Sequence, residues 1–405
     1  MTGDALIILA NTEIQTMLDL RKTLILLVLL PAFCLPAYSQ RTDSFWKKIV
    51  NVIAAPSMEL DTSAVYQPAP RWSITVSSEL HQAGITQENM LDCIYTFDEE
   101  DGGGTDILHA FTSTKLQGGV DKGIGLQVGY GNLSLGWNQR IGGDKASINT
   151  SFSFDYLAPG YALQLQYFDF RRPVDYEMRI SLADIMDIED SGQTIKPGRM
   201  TTFIADAFYA FNRRSFAYSA VYKGNVVQRR SAGTWMFGVK YLQGLVEFDP
   251  DEIVSGLMFG MVRQDTRQVA FGGGFSYNLV PFHRQPGADG KGLRNLTFNL
   301  TAIPMVTLFN QFSSTMRSDL LEGDPVLTKN VINGKLHVNY VFKAGAIYSW
   351  NRFYIGVSGS YDSYNYKGST NIPEEESDYN FDFDKIHSSG RFNRWSASLK
   401  FCVKF

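Results

Sequence analysis

The side chains that could do chemistry are thinly spread along this 405-residue chain. The five histidines are His81, His109, His283, His337 and His387, and no two have the spacing of metal ligands. Cys34, Cys93 and Cys402 are no closer. A bridge between Cys93 and Cys402 is chemically open in an oxidising compartment but is not expected. Gly102-Gly103-Gly104 lacks the following lysine and helix of a phosphate-cradling loop. A lipid-cleaving barrel would need a histidine and a serine together on its outer wall. His337 has no serine two residues on and falls on the opposite face. No catalytic residue, cofactor or metal site is therefore expected, and an enzyme is the least favoured of three readings.

A second polar set has a regular spacing. Asn149, Asp155, Gln164, Gln166, Asp206, Lys240, Asn299, His337, Asn339, Lys343, Asp362 and Lys400, with Ser151 and Ser358, alternate with apolar residues. Successive strand residues face opposite sides, so these share one face. In a closed barrel that face is the lumen. Neutral amides and both charge signs suit small polar solutes without strong ion selectivity. Two readings stay open: a narrow channel or binding barrel, or a non-conducting structural or surface-assembly barrel whose polar interior is cross-linked shut.

The elements that would carry these residues are strands. In the last eleven residues Trp395, Ala397, Leu399, Phe401, Val403 and Phe405 alternate with Ser396, Ser398, Lys400, Cys402 and Lys404. A membrane-crossing strand needs roughly 9–11 residues. This end resembles the closing strand of bacterial outer-membrane barrels, where Trp395, Leu399, Phe401, Val403 and Phe405 would form the assembly signal. Mean hydropathy is slightly negative, as expected of a wall that alternates lipid-facing and lumen-facing residues. The net charge of −4 gives no electrostatic support for a nucleic-acid partner.

The amino end agrees. Arg21 and Lys22 precede an apolar run to Leu35, and Ala37-Tyr38-Ser39 offers small residues before Gln40. Residues 1–39 read as a cleaved secretory signal peptide, with Met17 the better start. Residues 40–70 would be a periplasmic segment, with Phe45, Trp46, Ile49, Val50 and Ile53 on one face of a short amphipathic helix. Residues 71–405 would be the barrel.

Thirteen alternating segments are evident, among them Ser215–Lys223 between Met200–Phe211 and Thr234–Leu242. A barrel with both ends on one side needs an even number. Turn-length parity puts the discrepancy between about Lys223 and Lys335, and Glu252–Arg263 is the best missing strand. The expected fold is all-β, a transmembrane up-and-down antiparallel barrel of 14 strands, with 12 as the alternative. The long connections, roughly 81–116, 171–199, 307–334 and 367–391, would be extracellular. They carry acids such as Glu374-Glu375-Glu376, read as a solvated surface or as recruiters of divalent cations at lipopolysaccharide. Expected partners are outer-membrane lipids and lipopolysaccharide, the barrel-assembly machinery and a small polar solute; the expected state is a monomer.

Several motifs resemble a family known as domain of unknown function 4421, of Bacteroidetes-type outer-membrane proteins. They are Asp61-Thr62 leading to Pro70-Arg71-Trp72, Asn212-Arg213-Arg214 within 209–218, Gln228-Arg229-Arg230-Ser231-Ala232-Gly233, and Tyr277-Asn278-Leu279-Val280-Pro281. The chain departs from the family pattern at Ser219, where a proline is usual, and at Gly102–Gly104. The resemblance implies an outer-membrane barrel and brings no activity. The four arginines suit pairing with rim acids or lipid phosphates, or simple solubilisation of turns.

Overall fold

The computed structural model describes residues 60–69, 71–97, 104–117, 120–141, 149–170, 174–182, 186–195, 197–248, 261–285, 292–318, 326–334, 336–371 and 381–405. The leader and the helix expected at Phe45–Ile53 lie outside these residues. In chain order the strands are β1 (Val65–Tyr66), β2 (Trp72–Phe97), β3 (Gly104–Gln117), β4 (Asp121–Tyr130), β5 (Leu133–Arg140), β6 (Asn149–Leu157), β7 (Tyr161–Phe170), β8 (Val174–Leu182) and β9 (Met186–Ile195). They continue as β10 (Pro197–Ala210), β11 (Val227–Gln228), β12 (Ala232–Phe248), β13 (Met261–Arg284), β14 (Arg294–Ser318), β15 (Val326–Asn333), β16 (Val338–Trp350), β17 (Phe353–Asn371) and β18 (Phe381–Lys404). One short helix, α1 (Ser219–Tyr222), precedes β11.

Twelve strands close a ring in the order β2, β4, β5, β6, β7, β10, β12, β13, β14, β16, β17, β18. Every pairing in it is antiparallel, and β18 returns to β2 from Lys404 opposite Ser73 to Phe381 opposite Tyr95. Closure leaves no sheet edge in the ring, the condition a β-structure must meet to sit in hydrocarbon. The described strands β3, β8, β9 and β15 extend the sheet beyond the ring, and β1 pairs only with β11.

The count is therefore twelve, not fourteen, for a specific reason. Ser215–Lys223 is not a strand. Its alternating pattern places Phe216, Tyr218 and Ala220 on one side and Ala217, Ser219 and Val221 on the other, and all six are buried. A wall strand has one exposed face; this segment has none, because it lies inside the ring. Glu252–Arg263 supplies no extra ring strand either. Residues 252–260 lie outside the described residues, and 261–263 begin β13.

Both described chain ends share one rim with three tight turns of the wall. Gly131 lies between β4 and β5, Pro159-Gly160 between β6 and β7, and Asn351 between β16 and β17. Asn351 takes φ 51° there. The opposite rim carries the long connections. Their described parts are strand: β2, β14 and β18 run 26, 25 and 24 residues, well past a span of roughly 9–11. The β2–β3 hairpin joins the β8–β9 hairpin through β3 and β8, so residues expected to be loops continue the sheet as ribbons. Cys93 opposes Phe383 and Cys402 opposes Thr75, so the two cysteines sit at opposite ends of one strand pair.

The outer surface is an apolar belt. Ile74, Val76, Ile124, Leu126, Trp137, Phe152, Phe237, Val239, Phe298, Phe342, Val357 and Leu399 are all exposed on it. At the turn rim the belt ends in paired aromatics: Trp72 with Tyr130 at 5.2 Å, Tyr161 with Tyr209 at 5.4 Å, Trp235 with Phe275 at 5.5 Å, and Trp350 with Phe353 at 5.9 Å. Amphipathic rings ending an apolar band are the girdle of membrane barrels.

Candidate functional site

The chain between β10 and β12, residues 211–231, turns into the ring at the turn rim and forms a plug. Phe216 and Tyr218 pack with Leu157, Phe208, Met236, Ile303, Met305 and Val341, which project inward from β6, β10, β12, β14 and β16. Val221 packs with Ile347, Tyr354 and Cys402 from β16, β17 and β18. The plug thus touches most of the circumference. Gly345 leaves space for it: a Cβ there would lie 2.8 Å from Val221 Cγ1. Gly224 turns the plug with φ +64°, and a Cβ would meet Ile347 at 2.8 Å and Tyr354 at 2.9 Å.

Polar residues wire the plug to the wall. Gln228 is fully buried. Its Oε1 accepts from the Ala217 N–H at 2.9 Å and from Asn278 Nδ2 at 3.1 Å. Its Nε2 donates to the carbonyls of Ser215 at 2.6 Å and Arg230 at 2.9 Å. Asn278 Oδ1 accepts from Asn299 Nδ2 at 2.7 Å, and Asn299 Oδ1 accepts from the Tyr222 hydroxyl at 2.7 Å. On the other side Asn225 Nδ2 donates to Asn132 Oδ1 at 2.7 Å, Lys223 Nζ to Ser134 Oγ at 3.1 Å, and Lys404 Nζ to the Gly224 carbonyl.

The residues before β2 cap this assembly. β1 pairs with β11, and Arg229 donates to the Thr62 carbonyl while stacking 4.8 Å over Tyr66. Asp61 Oδ1 accepts from the Ser63 hydroxyl at 2.6 Å and its N–H at 2.9 Å, which holds the carboxyl below its ordinary pKa. Asn212 donates to the Gly233 carbonyl, and Ser231 Oγ accepts from the Val280 N–H. Arg213 reaches the Tyr161 hydroxyl at 2.5 Å. The four motifs noted in the sequence therefore converge on the plug. Arg213 and Arg229 have partners within the fold.

Farther from the turn rim, opposing walls meet through charged side chains. Lys240 Nζ on β12 lies 2.6 Å from Asp362 on β17 and 3.3 Å from Asp206 on β10. Lys343 on β16 lies 3.7 Å from Asp206 and donates to Gln164 of β7 at 2.9 Å. Arg394 of β18 donates to Gln166 of β7 at 3.0 Å and stacks 4.2 Å over Phe168. β7 and β18 are five places apart in a ring of twelve, so this contact crosses nearly the full lumen. Phe168, Ile204, Leu242, Tyr364 and Phe392 form an apolar partition beside it.

The partition leaves a polar cavity of about 170 Å³ on the side of β2, β4–β7, β17 and β18. Serines 77, 134, 151, 153, 358, 360, 396 and 398 line it, with Asp155, Gln164, Gln166, Lys223, Lys343, Arg394 and Lys400. Asp155 accepts from Gln127 at 2.8 Å and Gln164 at 3.1 Å.

Of the residues singled out in the sequence, Asp155, Gln164, Gln166, Lys343 and Lys400 meet at this cavity. Asp206, Lys240 and Asp362 form the charged cluster that Lys343 joins. Asn299 serves the plug. Asn339 lies apart, bonded to Gln268 and to the Asn365 N–H. His337 is half-buried, its N–H donating to Thr307 Oγ1 at 2.8 Å. The Asn149 side chain lies outside those described. Leu399 and Phe401 are exposed on the belt, and Trp395 donates to Gln82 Oε1 at 2.9 Å. The plug, Arg394 and most of the serines escaped the sequence reading. A run with both alternating faces apolar or small, as at 216–221, is the signal that marks the plug.

The structure is a closed twelve-stranded barrel, plugged from its own wall. The chain belongs to the family described as Domain of unknown function (DUF4421), which matches residues 109–384. No curated protein matches it. Among solved structures it is similar to the outer-membrane protease OmpT of Escherichia coli, at 10% identity and TM-score 0.39, over 82% of this chain and 97% of that one. It is also similar to the outer-membrane protein OprG of Pseudomonas aeruginosa, at 10% identity and TM-score 0.24, over 81% and 95%. A bacterial polysaccharide outer-membrane secretin gives 9% identity and TM-score 0.24, over 81% and 98%. Likenesses this weak carry no inference about activity.

Proposed function

We propose that the protein is an outer-membrane barrel that does not conduct and instead holds a small polar solute in its interior. Insertion is supported by the closed ring, the continuous apolar belt and the aromatic girdle, which together describe a surface made for lipid. Membrane lipids are then its obligatory surroundings. The turn rim faces the periplasm and the hairpin rim the outside, because short periplasmic turns and long extracellular connections are the asymmetry of such barrels.

The observation that carries the closed reading is the plug. A twelve-stranded ring lies between eight strands, which side chains fill, and sixteen, which leave a channel. Here 211–231 supplies the missing filling at one end, and the Lys240–Asp362 contact divides the rest. The test is conductance in planar bilayers. The wild-type protein should give no discrete steps. Replacing 213–230 by a four-residue turn removes the filling at that end, and steps should appear, small ones because the Lys240–Asp362 contact still narrows the lumen. Steady conductance by the wild type would overturn the closed reading in favour of a narrow channel.

A further inference from the structure

The cavity beside the partition has an imbalance of donors over acceptors. Lys223, Lys343, Arg394 and Lys400 line it, against the carboxylates of Glu79 and Asp155. Asp155 already accepts from two amides, and Glu79 Oε1 accepts from the Ser77 hydroxyl at 3.0 Å. The buried lining atoms left without a partner among the described residues are donors: Asn138 Nδ2 and Arg394 Nη1. Lys400 makes no ion pair within 4.0 Å among the described residues. Asn138 and Arg394 of β5 and β18 thus carry unanswered donors, and Lys400 of β18 an ammonium without a close ion pair, in a space where Asp155 already accepts twice and Glu79 once. A buried donor without a partner is destabilising, so the site favours whatever brings acceptors to it.

The rest of the lining is hydroxyl. Ser358 with Ser398, and Ser360 with Ser396, pair across β17 and β18 at 2.8 Å. A hydroxyl both donates and accepts, so these serines suit a ligand that carries hydroxyls of its own. The volume bounds its size. A cavity of about 150 Å³ takes a benzene molecule, six heavy atoms, so 170 Å³ suits a ligand of about six to ten.

We propose that this cavity binds a small hydroxylated anion, a hydroxy acid or a phosphorylated polyol, with its acid group toward Arg394 and Lys400 and its hydroxyls against the serine wall. The inference rests on the closed-barrel reading and names the class of solute that barrel holds. Lys343 contributes less, because Asp206 and Gln164 already engage it.

The experiment is titration calorimetry on the full-length protein, folded in a nonionic detergent and freed of polyols, with four probes. D-Glycerate and glycerol 3-phosphate are the two acid forms. Glycerol removes the charge, and propionate removes the hydroxyls. At least one acid form should bind ten-fold or more tighter than both glycerol and propionate, and the preferred form identifies carboxylate or phosphate as the group recognised. Lys400→Gln and Arg394→Gln should each weaken that binding about ten-fold, with the heat-modifiable folded band retained. Glycerol binding as tightly as the acids, or no binding by any probe, would overturn the proposal. Conductance tells this failure from that of the closed reading. A wild type that neither conducts nor binds sinks the ligand alone, whereas one that conducts and still discriminates the acids sinks the closed reading alone.

Discussion

Gln228 shows what one residue does in this fold. Its amide satisfies two donors and two acceptors of the plug and wall, at a position water does not reach. Gln228→Leu keeps the volume and strands all four. Each stranded buried group costs about 1–3 kcal/mol. The variant should lose at least about 3 kcal/mol in urea unfolding, and a loss below about 1 kcal/mol would mean the plug is not held there. Lys240 is the second case. Lys240→Met leaves Asp206 and Asp362 as buried like charges near one another. Removing one partner of a buried ion cluster costs roughly 3–5 kcal/mol. Adding Asp362→Asn to Lys240→Met should recover part of that loss, and strict additivity of the two changes would refute the coupling.

At the scale of elements, the wall strands were legible because lipid on one side and packed polar groups on the other enforce period two. In β18, Leu399 is on the belt and Ser398 Oγ meets Ser358 inside. Leu399→Arg should therefore cost more than Ser398→Arg, by about 2–4 kcal/mol near the midplane. Equal folding yields for the two, read as heat-modifiable protein, would contradict the facing. The plug was not legible as a plug for the same physical reason. A segment buried on all sides has no period to read, and Phe216, Tyr218 and Tyr222 imitate one face of a strand. That imitation produced the odd strand count. The hairpin ribbons were hidden by composition: acidic, polar residues such as Asp187 and Glu189 of β9 read as loop, although hydrogen bonding carries the sheet through them. The site was half legible. Charged residues stood out singly, but their partners lie on strands up to five places away, and sequence spacing holds no record of that distance.

At the scale of the molecule, stability and closure come from the same residues. The inward side chains are not a free lining awaiting solute. They bond to one another across the ring, so substitutions that open the lumen should also soften the barrel. The 213–230 replacement predicted to conduct should accordingly unfold at lower urea than the wild type. If it conducts with undiminished stability, the plug is a gate that adds nothing to the fold.

The plug also has a fixed address. It is a loop whose two ends are stitched together, because Ala210 and Met236 are register partners in neighbouring strands β10 and β12. Were it to leave the lumen it would remain tethered within reach, at an effective concentration of the millimolar order. Reclosure is then a unimolecular event, indifferent to how much protein the membrane holds. Any solute or peptide arriving to occupy the same space competes with a resident segment that never dilutes.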